Sequence, residues 1–181
     1  MPPPPPVALP PSQPASQPPS QPPSQPPSAV QSSRRSLAST QDDEFTSPPT
    51  PVRLGSSEEA VREMRDIARE LRQPLRLDGV WQERAAAMRR LHGILLGGAA
   101  RLPNFAHLLH THMVEPLGLQ LKDLRSKCVR LACEVICEGA RTLGGAFREC
   151  AIDLLPTLLR VLRVTVVVIT EAADGCIREL L

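Results

Sequence analysis

An all-α fold is predicted, a stacked helical solenoid of about three helix pairs behind a disordered Pro/Ser/Gln-rich tail. Three observations carry this. Seventeen of the 21 prolines fall in residues 1–57, so composition divides the chain sharply. Beyond that point Leu, Ala, Val and Ile recur at three- and four-residue spacing, the period of a helix with one buried face. The apolar segments are joined by alternating short and longer connectors, which groups them in pairs too small to bury their faces alone.

Residues 1–56 form the tail and linker, and residues 57–181 the folded part. The tail repeats Ser16-Gln17-Pro18-Pro19, Ser20-Gln21-Pro22-Pro23 and Ser24-Gln25-Pro26-Pro27. A period of four does not match the three-residue turn of polyproline II, so no side-chain type gathers on one face. Such a segment buries too little apolar surface to offset the entropy of ordering it, and an extended spacer is expected. Arg34-Arg35-Ser36-Leu37 and Ser47-Pro48-Pro49-Thr50-Pro51 resemble kinase substrates, which makes Ser36, Ser47 and Thr50 candidate phosphoacceptors.

Charge excludes some functions. The three arginines of the tail balance Asp42, Asp43 and Glu44, so the net +2 lies in the folded part. That excess is too weak to suggest nucleic acid, and with no Tyr and three Phe there is no stacking platform for bases. No signal peptide is evident. The apolar run at 164–169 is interrupted by Thr165 and is far too short to cross a bilayer. Five cysteines without a CxxC pair read as reduced core thiols.

The first helix starts behind Ser56, which forms a capping box with Glu59. Its stripe is Val61, Met64, Ala68 and Leu71, and Gln73-Pro74 ends it. Asp78-Gly79 marks the following turn. Trp81 opens the second helix, with Ala85, Met88 and Leu95 inward, and Gly97-Gly98 stops it. The third helix is expected over 104–114, with Phe105, Leu108, Leu109 and Met113 inward and Pro116 and Gly118 closing it. His107 and His110 share a side of it, but His112 points elsewhere and no carboxylate partner is evident, which weighs against zinc. The fifth helix, 146–162, carries Ile152, Leu155, Leu158, Leu159 and Leu162, with a kink expected at Pro156. Arg163-Val164-Thr165 is a short turn. The sixth helix carries Ile169, Ala172, Ala173, Cys176, Ile177 and Leu180.

The charged turn at 121–126 precedes the fourth helix, expected over 124–143 with Asp123 as its N-cap. Val129, Ala132, Cys133 and Ile136 form its inner face. Lys122 and Arg125 then lie where a partner could reach them.

Several stretches together carry a family resemblance: Trp81-Gln82-Glu83-Arg84-Ala85-Ala86-Ala87-Met88, Leu95-Leu96-Gly97-Gly98-Ala99-Ala100, Lys122-Asp123-Leu124-Arg125-Ser126 and Ala173-Asp174-Gly175-Cys176-Ile177-Arg178. They resemble the tubulin-binding TOG domains of cytoplasmic linker-associated proteins (CLASPs), over roughly residues 57–181. The resemblance implies a paddle-like HEAT-repeat domain that binds tubulin along one thin edge, built from the turns inside each pair. Carried over by position, the edge holds Trp81 in the first turn, Lys122, Asp123 and Arg125 in the second, and Arg163 and Thr165 in the third. A position at which the family often presents lysine is Val167 here. The family's domain has six helix pairs, so a truncated domain with an uncovered last face is expected.

The resemblance thus implies a microtubule-associated module of the cytoplasm and its cytoskeleton, including the spindle, with the tail a candidate contact for other cytoskeletal proteins. The alternative is a HEAT-repeat scaffold for a non-tubulin protein. An enzyme is not expected, because no His is paired with a plausible nucleophile, no Gly-rich phosphate loop follows a strand and no carboxylate pair is placed for acid–base work, and neither a cofactor nor a membrane partner is implied.

Overall fold

The computed structural model describes residues 48–75 and 80–181. The tail repeats, Ser36, Ser47 and the Asp78-Gly79 turn lie outside them. The described residues hold six α-helices and no strand: α1 (Ser57–Leu71), α2 (Trp81–Leu96), α3 (Phe105–Gln120), α4 (Ser126–Leu143), α5 (Arg148–Val161) and α6 (Val167–Leu180). Short 3-10 turns, Ala99–Arg101 and Gly144–Phe147, join the pairs.

The helices form two layers. α1, α3 and α5 pack side by side, as do α2, α4 and α6, and each odd helix also packs on the even helix that follows it. Pairs within each layer fix the direction. His110, on the sixth residue of α3, meets Asp153, on the sixth of α5. Arg141 near the end of α4 meets Glu179 near the end of α6. Helices within a layer therefore run parallel, and the helix ends that flank the intra-pair turns fall on the same edge.

Local signals account for most boundaries. Ser56 Oγ accepts the Glu59 amide at 3.2 Å, as a capping residue should. The Glu59 carboxylate, however, takes the Gly55 amide at 2.6 Å, one residue before the position a capping box would use. The inner stripe of α1 is Ala60, Met64, Ile67, Ala68 and Leu71, with Val61 half-buried at its border. α2 is buried on several sides because it sits between α1 and α4.

Four expectations are corrected. α3 does not close at Pro116 but runs on to Gln120. Burial of Pro116, Leu117, Gln120 and Leu121 against the core outweighs the amide that proline lacks. α4 begins at Ser126, so Asp123 is not its N-cap; Arg125 holds that position, and Asp123 Oδ1 accepts the Arg125 amide at 2.9 Å from two residues earlier. The fifth helical segment opens with a 3-10 turn in which Phe147 lies over Gly139, so α5 proper starts at Arg148 and not at Ala146; it continues through Pro156 to Val161, as the sequence predicts. Its buried stripe is Cys150, Leu154, Leu158 and Val161, whereas Ile152, Leu159 and Leu162 are exposed.

Candidate partner-binding edge

The edge is built on an arginine whose role is not evident from the sequence. Arg84 is fully buried on α2, in line with Met88, Leu91 and Leu95 on its core-facing side. A guanidinium sealed from water must be paired and hydrogen-bonded to be tolerated. Its Nε donates to Gln120 Oε1 at 3.0 Å, one terminal nitrogen donates to the Pro74 carbonyl at 3.1 Å, and the other pairs with Asp123 Oδ2. Gln120 Nε2 in turn donates to the Leu71 carbonyl at 2.6 Å. The end of α1, the start of α2, the end of α3 and the turn before α4 are thereby joined through one buried cation.

Arg125 extends the network outward. One of its terminal nitrogens donates to the Leu75 carbonyl at 3.0 Å and lies 3.5 Å from Asp123 Oδ1. It thus bridges the second turn to the first, with its side chain 29% exposed at the surface. Lys122 is exposed beside it, and Leu124 is 92% exposed at the tip of the turn. Trp81 is half-buried at the start of α2, packed partly on the core, with Lys127 Nζ 5.7 Å from its ring centroid. That places an aromatic face and a cation in contact beside the second turn.

The third turn is different in kind. Arg163 and Thr165 are exposed, and so are Val164, Val166, Val167 and Val168, with Val167 at 64%. The structure therefore joins Trp81, Lys122, Asp123 and Arg125 around the first two turns and places Arg163 and Thr165 on the same edge farther along. Asp123 differs from the others, because its side chain is 1% exposed and faces inward to Arg84. Gln120 and Lys127 also belong to this edge and are not evident from the sequence. Only Arg84 carried a signal, a cation at a core position of a 4-3-4 apolar spacing.

The remaining titratable groups read as structural. His110 Nε2 is 2.9 Å from Asp153 Oδ2, a carboxylate partner not evident in the sequence. No cluster of three metal-ligating side chains occurs among the described residues. Burial pushes the Cys128 thiol up to about 11, with the Asp123 carboxylate adding to the effect. Burial also raises Cys150 to about 12. A hydrogen bond to Cys133 is the main cause that lifts Cys176 to about 12, and one to Cys176 raises Cys137 as well. These thiols are protonated at neutral pH and are poor nucleophiles.

A family model described as CLASP N terminal matches residues 64–181, which takes in all of the edge. The chain belongs to the CLASP family. It is 36% identical over 159 residues to a CLIP-associated protein of Arabidopsis thaliana, covering 83% of this chain and 11% of that protein. CLIP-associating protein 1-B of Xenopus laevis is 35% identical over 78 residues, 43% of this chain and 5% of its own. CLIP-associating protein 1 of Xenopus tropicalis is 33% identical over 78 residues, with the same coverage. This CLASP-family chain spans about a tenth or less of the length of these relatives.

Proposed function

We propose that the domain is a tubulin-binding module, acting on microtubule dynamics through the edge formed by its intra-pair turns. The observation that carries the reading is the buried Arg84 network, which locks the first turn to the second. A surface held in place before binding loses little freedom on association. On that edge Trp81 supplies an aromatic anchor, Lys122, Arg125 and Lys127 supply positive charge, and Arg163 adds a further cation in the third turn. An acidic partner such as tubulin would be steered by the cations and held by the aromatic. CLASP membership supports the same partner, and with it a place on the microtubules of the cytoplasm and spindle. Asp123 enters as the internal support of the turn, while Thr165 belongs to the contacting surface.

The test is co-sedimentation with polymerised microtubules, alongside gel filtration with free tubulin. Trp81→Ala combined with Lys122→Glu is expected to weaken binding by at least tenfold, about the effect of losing one hot-spot residue. Arg125→Glu should do the same with some loss of stability, since it also gives up the Leu75 bond. Binding unaltered in the Trp81 and Lys122 pair would sink the edge reading.

A second reading, a HEAT-repeat scaffold for a non-tubulin protein, is favoured by one observation. Ile152 and Leu159 are exposed on α5, outside the turn residues themselves. If Ile152→Asp with Leu159→Asp abolishes a partner interaction that the edge variants leave intact, the scaffold reading takes precedence.

A further inference from the structure

The residues just before α1 lie along α2. The Val52 amide donates to the Gly93 carbonyl at 2.8 Å, an oxygen that also accepts the Gly97 amide of its own helix at 2.8 Å. A Cβ on Gly97 would fall on the Val52 carbonyl, and one on Gly93 would fall on the Thr50 carbonyl. Gly93 and Gly97 are one helical turn apart, so their missing side chains form a smooth track for an extended strap. Leu54 anchors the strap by packing against the core. Thr50 and Pro51, at its outer end, are exposed.

We propose that this strap gates phosphorylation of Thr50 by a proline-directed protein kinase: docked on the Gly93–Gly97 track it withholds the residue, and released it offers it. Pro51 directly follows the hydroxyl, which is the pattern such a kinase accepts. In the transfer, Thr50 Oγ1 attacks the γ-phosphorus of ATP and the bond to the β,γ-bridging oxygen breaks. ADP leaves, and the hydroxyl proton passes to the kinase's carboxylate base. A kinase cleft has to close around several extended residues on either side of the acceptor. In the docked strap one side of that backbone is occupied by Gly93 and Gly97. Only the released population is then a substrate, and the rate follows its fraction. The inference is independent of the tubulin reading, since it concerns the opposite end of α2 from Trp81.

The experiment incubates the full 181-residue chain with a proline-directed kinase and Mg-ATP and follows Thr50 phosphate by mass spectrometry. A synthetic peptide of residues 44–56 gives the rate of the unshielded sequence. Phosphorylation is expected to be roughly tenfold slower in the wild-type chain than in the peptide, and to approach the peptide's rate in Gly97→Ala. Val52→Pro, which removes the strap's amide donor without touching α2, guards against misfolding of the helix variant and is compared with a peptide carrying the same change. Hydrogen exchange at the Val52 amide supplies a separate readout and should show protection in the wild type only. Equal rates in chain, variants and peptides overturn the proposal, as does an unprotected Val52 amide or a Thr50 that the kinase leaves unmodified even in the peptide.

Discussion

Arg84 and Asp123, 39 residues apart in the chain, form an ion pair whose side chains are 0% and 1% exposed. Deleting one member of such a pair leaves a buried charge without compensation, which typically costs about 3–5 kcal/mol. Asp123→Ala is therefore expected to lower the urea midpoint by more than any edge-surface substitution. Arg84→Met with Asp123→Leu should recover much of the loss, because a well-packed apolar pair of similar volume can replace a buried ion pair. If the single and double variants unfold at the same urea concentration, the pair is not acting as a charge couple.

Gly139 predicts a second effect. A Cβ there would lie 2.7 Å from the Phe147 ring. Gly139→Ala should destabilise by about 1–3 kcal/mol through overpacking, despite alanine's better helix propensity. Adding Phe147→Leu should relieve most of this, so a double-mutant cycle monitored by thermal unfolding should give a coupling of opposite sign to the single losses.

Stability should fall with pH below neutrality. Burial is the main influence that holds His92 below its ordinary 6.5, against the opposing pull of Glu138 and Glu134, and burial lowers His112 too. The unfolded chain then binds more protons than the folded one between the ordinary and the lowered values, and that difference favours unfolding as pH drops through this window. Urea midpoints at about pH 7 and about pH 5.5 should show the decline, and His92→Gln should lessen it. A midpoint that rises over the same interval would contradict the assignment.

The thiols provide a fourth check. Cys128, Cys150 and Cys176 have their acidities pushed to about 11 or 12 and are buried. Iodoacetamide at about pH 8 should modify them only after unfolding, because reaction needs an accessible thiolate. Peptide mapping that finds rapid labelling of Cys128 in the native protein would overturn this.

The sequence revealed the helices and their pairing more readily than the edge. Helical spacing of apolar residues and local signals such as Ser56 and Gly97 act over a few positions, so they can be read in order. Pro116 was misleading because a local rule met a tertiary one, and burial of Leu117 and Gln120 prevailed. In α5 both the Cys150–Leu154–Leu158–Val161 face and the face holding Ile152 and Leu159 are apolar. Periodicity identifies such faces but does not rank them, since the choice depends on where neighbouring helices lie. In the sequence Arg84 is distinguished only by being a cation at a core position. Its meaning depends on Asp123 and Pro74, which come from different connectors and meet only in the folded chain.

The parallel register within each layer also sets a length scale for recognition. Packed helices are spaced about 8–10 Å apart, so successive intra-pair turns step along the edge by about that distance. Trp81, Lys122 and Arg163 then mark out a row about 20 Å long. On the proposed reading, a partner of this edge has to meet the row with a matching linear series of groups, aromatic-accepting at one end and apolar at the other. Selectivity on this edge becomes a question of spacing as much as of charge.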